Sequence, residues 1–95
     1  MSEVIAKALA VLQVKMADGF DGLAKVVIPG EGAIMLDANG ARAGDEEADV
    51  TLTASAEVFQ GILSGDVNPT MAFMTGKLSV DGNMGLAMKL GAALG

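Results

Sequence analysis

The last helix-length run, MGLAMKLGAAL (residues 84–94), carries one charge, Lys89. Wound as a helix it shows two apolar stripes. Leu86, Leu90, Ala93 and Leu94 make one; Met84, Ala87, Met88 and Gly91 make the other. A helix apolar nearly all round is expected to be buried on most sides. The chain has 95 residues, which fits one domain with one modest core and no second one. In a two-layer domain of that size a sheet takes one stripe. The other needs a core, a cavity, a ligand, a partner chain or a membrane surface. Four of the seven Met residues stand nearby, at Met71, Met74, Met84 and Met88. Their unbranched thioether side chains adapt to irregular apolar shapes, which suits a ligand. The competing reading is that this stripe meets Phe73, Met74 and the first helix in an ordinary core.

The rest of the chain reads as short elements. Residues 3–17 have Ile5, Ala8, Leu9, Leu12 and Met16 at helical spacing, with Ser2 at the N-cap position. GLAKVVIP (22–29) and AIMLD (33–37) read as strands joined by the PGEG turn. Asn39-Gly40 is a short turn signal, since both residues accept positive φ. ARAGDEEA (41–48) reads as an exposed arm. DVTLTA (49–54) alternates, with Val50 and Leu52 on one face. Ser55 caps a helix over 56–64 with the stripe Val58, Phe59, Ile62 and Leu63, and Gly65 stands at its left-handed end. Asn68-Pro69 opens a short helix over 69–75, which Gly76 stops. KLSVD (77–81) alternates again before the last helix. One apolar and one polar face per strand imply a mixed or antiparallel sheet with helices on one side only, an α+β domain. No repeat, linker or low-complexity tract interrupts it.

Composition removes several functions. The net charge is −6, and the six basic residues, Lys7, Lys15, Lys25, Arg42, Lys77 and Lys89, are scattered. Nucleic-acid binding needs a basic stripe, and docking to an anionic membrane is disfavoured for the same reason. The chain has no Cys and no His, so disulfides, thiol nucleophiles, imidazole bases and most transition-metal sites are absent. Glu3, Lys7 and Lys15 break up the N-terminal apolar stretch, which is not a signal peptide, and no run reaches the about 18 residues of a membrane span. GEGAIM (30–35) lacks the third Gly of a nucleotide loop and opens a strand. GNMG (82–85) lacks the basic setting of an RNA clamp. DANG and GDEEAD lack the ligand spacing of a calcium loop. Lys77, Ser79 and Asp81 share a strand face, but no base stands near a nucleophile. No catalytic, metal or cofactor residue is expected.

Residues 48–90 carry a specific pattern. ADVTLTAS, EVFQGILSGDVNP and AFMTGKLSVDGNMGLAMKL closely resemble the sterol carrier protein type 2 family. The order of helix, strand, NG turn and strand in residues 3–47 agrees with it. The resemblance implies a single domain over 1–95, with a five-stranded sheet, helices on one face and an apolar tunnel between the layers. It implies a carrier of a fatty acid, fatty acyl-CoA, sterol or phospholipid and not a catalyst, with at most transient membrane contact. On this reading the second stripe of the last helix lines or lids the cavity. The candidate ligand contacts, guessed from helical faces, are Leu9, Leu12, Met16, Phe59, Ile62, Phe73, Met74, Met84, Ala87, Met88 and Leu90; core packing competes at each. Unlike eukaryotic members the chain ends at GAALG, with no S-K-L type tripeptide and no further lid after the last helix. That points to a bacterial, cytoplasmic protein with a more open tunnel. The alternative function is an interaction module, in which the apolar last helix forms a homodimer or docks onto an enzyme. An enzyme of acyl or CoA chemistry has only family association behind it.

Overall fold

The chain opens on a capped helix. In the computed structural model, which describes residues 2–94, the Ser2 hydroxyl accepts the Ile5 amide at 3.0 Å and starts α1 (Glu3–Lys15). The bond satisfies one of the amides a helix start leaves free, and Glu3 and Lys15 suit the two ends of the helix dipole. Next come β1 (Ala24–Ile28), β2 (Gly32–Asp37) and β3 (Gly40–Ala43), an antiparallel meander. β4 (Val50–Ala54) lies parallel to β1, and β5 (Leu78–Gly82) antiparallel to β4. The sheet order is β3-β2-β1-β4-β5. α2 (Ala56–Ser64) and α3 (Pro69–Met74) connect β4 to β5, and α4 (Met84–Leu94) follows. This is the expected α+β domain with a five-stranded mixed sheet.

Register places the core on one face of the sheet. Val26 stands between Ile34 and Leu52, and Leu52 next to Val80. Ala24 stands between Leu36 and Val50. These residues pack with Ile5 and Leu12 of α1, Phe59 and Ile62 of α2, and Leu90 and Leu94 of α4 in one apolar cluster. The odd-numbered partners Lys25, Met35 and Thr51 face the other way. Alternation at a period of two fixes that division, because a slip of one residue would turn every core side chain outward.

The arm expected over 41–48 is not free. Its first residues belong to β3, where Ala41 and Arg42 pair with Leu36 and Met35. Only Gly40 takes positive φ at the preceding turn (φ 107); Asn39 does not. Its amide instead donates to the Asp37 carboxylate at 2.9 Å. Residues 44–49 then cross diagonally from the β3 edge to β4 over the helix-free face. The Gly44 amide donates to the Ala33 carbonyl at 3.2 Å, and the Asp49 amide to the Leu23 carbonyl at 2.9 Å. Asp45 pairs with Lys25 at 2.9 Å, and Glu46 with Arg42 at 2.8 Å. Met35 is fully buried beneath this strap, although it points away from the helices.

Side-chain caps set the remaining helices. The Ser55 hydroxyl accepts the Val58 amide at 3.2 Å, the Asn68 side chain the Thr70 amide at 2.8 Å, and the Asn83 side chain the Leu86 amide at 3.0 Å. Before α4 the backbone needs Gly82. Its φ is 104, and a Cβ there would run into the Asp49 carbonyl. α2 and α4 have the expected bounds, while α1 and α3 stop slightly before the expected residues 17 and 75.

Candidate functional site

Two helical stripes of equal spacing face each other across a groove. Val4, Lys7, Ala8 and Val11 stand at i, i+3, i+4 and i+7 on α1; Ala56, Phe59, Gln60 and Leu63 repeat that spacing on α2. Ile28, the last residue of β1, lies between them. The groove holds about 210 Å³, less than the about 300–1,000 Å³ of a ligand pocket. Lys7 and Gln60 are its polar residues.

The groove shares its inner wall with a second, smaller space. Ala8, Ile28, Phe59 and Leu63 also border a seam between the helices and the sheet, completed by Leu12, Val26 and Leu94. The seam measures about 10 Å³, room for about one water molecule. The layers are therefore in contact, and the tunnel implied by the resemblance is not open here. Among the described residues no polar or charged side chain is buried. No side-chain hydrogen bond has to break for the helices to part from the sheet there. An apolar guest would replace apolar contacts with others of the same kind.

The structure divides the expected contact residues into three groups. Leu12 and Phe59 border the seam, and Phe59 also lines the groove. Met16, Ile62, Ala87 and Leu90 are buried in the core cluster, with Leu9 packed partly buried against it. Phe73 and Met84 are 43% and 49% exposed, Met74 and Met88 73% and 75%. The last helix is thus not buried on most sides. The sheet and α1 take Ala87, Leu90 and Leu94, and a two-layer domain has no third layer for Met84 and Met88. Gly91, on that same stripe, approaches Pro69 at the start of α3, where a Cβ would sit 3.6 Å from the proline ring. The exposed Met face of α4 therefore runs toward α3, which exposes Met71, Phe73 and Met74.

Sequence reasoning missed Val4, Lys7, Ala8 and Val11 on α1 and Ala56, Gln60 and Leu63 on α2 as groove residues. The matching spacing was available, but selecting the most apolar stripe of each helix discards one that contains Lys7 or Gln60. No helix among the described residues is long and apolar enough to cross a membrane.

A one-sided helix layer over a closed apolar seam, with a surface groove beside it, defines a small two-layer α+β domain. The chain belongs to the SCP-2 sterol transfer family, whose model matches residues 2–95. Hydroxysteroid dehydrogenase-like protein 2 of Danio rerio is 35% identical over 98 residues, 95% of this chain and 24% of that protein. Sterol carrier protein 2 of Homo sapiens is 50% identical over 46 residues, 48% of this chain. The match spans only 8% of that protein's length, and 12% of peroxisomal multifunctional enzyme A of Dictyostelium discoideum. Among solved structures, the sterol carrier protein domain 2 of Helicoverpa armigera superposes with a TM-score of 0.73 at 33% identity, covering 92% of this chain and 82% of that one. Sterol carrier protein 2 of Aedes aegypti, solved with palmitate, superposes at 0.75 over the full length of both chains; its 19% identity speaks for the fold.

Proposed function

We propose that the protein is a non-catalytic carrier that takes the tail of a single long-chain lipid through the α1–α2 groove into the seam. The observation that carries this reading is that Ala8, Ile28, Phe59 and Leu63 line both spaces, so that only these apolar side chains separate groove from seam. Leu12 and Phe59 contact the tail; Leu9, Met16, Ile62, Ala87 and Leu90 are the packing behind that wall. The groove offers no nucleophile with a base, only an ammonium and an amide, which supports binding over chemistry. Burying each CH₂ contributes about 0.8 kcal/mol before the costs of association. The palmitate bound to the Aedes aegypti neighbour makes a sixteen-carbon chain the first ligand to try.

The test is a titration of delipidated protein with a fluorescent long-chain fatty acid, followed by displacement with unlabelled chains of rising length. The chain has no Trp and no Tyr, so intrinsic emission interferes little. Affinity should rise with each added CH₂, by up to about fourfold. Equal displacement by short and long chains would sink the carrier reading.

A second reading rests on the exposed Phe73, Met74, Met84 and Met88, which lie outside the groove. In it the α3–α4 face seats a second copy of the chain.

A further inference from the structure

Lys7 and Gln60 stand on opposite walls of a groove that is otherwise lined by apolar side chains and Lys7's own alkyl stem. A long cationic side chain can lay its stem along apolar surface and keep its head at the water boundary. Lys7 is also loosely held. Its nitrogen lies 3.4 Å from Glu3, one turn away, with both side chains more than 70% exposed. The ion pairs of Lys25, Arg42 and Lys89 reach 2.9, 2.8 and 3.1 Å. An exposed pair of this kind is worth little, so exchanging Glu3 for another anion costs little. The chain as a whole is strongly negative at −6, and a cation at the groove mouth offsets that field for an anionic ligand.

We propose that Lys7 and Gln60 hold the carboxylate of an anionic single-chain lipid at the groove mouth, head outward, with the tail directed past Phe59 into the seam. An ammonium donates in any direction, and the Gln60 amide donates from the facing wall, so the two oxygens of one carboxylate are served from both sides. The proposal rests on the carrier reading and adds the ligand's charge and its orientation.

The experiment displaces a neutral fluorescent long-chain alcohol with hexadecanoic acid or hexadecanol, at a pH where the free acid is ionised. Wild type, Lys7→Gln, Lys7→Glu and Lys15→Gln are compared. Wild type should favour the acid by about two- to fivefold, the size of an exposed ion pair. Lys7→Gln should abolish that preference, read as the ratio of acid to alcohol affinity within each variant, and Lys7→Glu should reverse it. Lys15→Gln removes the same charge from the end of the same helix, away from the groove, and should keep it. Equal affinity for acid and alcohol in wild type, or an acid preference that survives Lys7→Gln, overturns the head-group assignment and leaves the carrier reading standing. Failure of both ligands to displace the probe, or of the probe to bind, overturns the carrier reading and this one with it.

Discussion

Leu63 borders the groove and the seam, yet it is only partly buried. A larger side chain there has room to grow into the groove instead of the core. Leu63→Trp should therefore remove most long-chain affinity while changing stability by less than about 3 kcal/mol, the range of overpacking; displacement titration and urea denaturation check the two parts. Gly82 gives the opposite kind of position. Its backbone is left-handed and its missing side chain is where the Asp49 carbonyl lies. Gly82→Ala should destabilise by more than about 1 kcal/mol, seen as a lower midpoint in the same denaturation experiment. Gly82, next to Asn83 between a strand run and a helix run, is a turn signal in the sequence alone. Lys7 and Gln60 were not legible as groove residues, because polarity marks them as solvated until a facing helix is known.

α3 and α4 carry the exposed thioethers. Met71, Met74, Met84 and Met88 are open to solvent, while Met16 is 2% exposed and Met35 fully buried. Peroxide transfers one oxygen to an accessible thioether and leaves as water. Mild peroxide treatment of the folded protein should oxidise those four before Met16 or Met35, as peptide mass spectrometry reads; similar rates at all six would contradict the exposed face. The strap offers a second test. Met35→Ala should cost about 2–5 kcal/mol in denaturation, as for a core methionine, although it lies off the main core. β3 and the strap were the least legible elements. GARAGDEEA has neither apolar alternation nor strand-forming residues, and what orders it comes from elsewhere in the chain: the edge of β2, the Met35 side chain and Lys25. α2 and α4 were legible to the residue: the cap at Ser55 and the stop at Gly65 are local signals, and MGLAMKLGAAL is one helix-length apolar run.

At the scale of the molecule, the one-sided layering and the order of the elements other than β3 followed from period-two strands and period-3.6 helices. The state of the space between the layers did not, because closing or opening a seam leaves both periods unchanged. The exposed α3–α4 face also belongs to this scale. Copies carrying −6 repel one another, and salt screens that repulsion. If the face seats a second copy, sedimentation velocity should find a dimer fraction that grows with ionic strength and disappears in Met88→Lys. A monomer under all salt conditions removes that reading. β1 is shared by both sides of the domain: Val26 and Ile28 border the seam, while Lys25 holds the strap. On one side of it, among the described residues, α1 and α2 meet the sheet through apolar side chains; on the other, main-chain and ionic bonds tie 44–49 down. The sheet is then the stationary jaw of a vice and α1 with α2 the moving one, and deuterium uptake at backbone amides should register a guest in those two helices while the central strands keep their original rates.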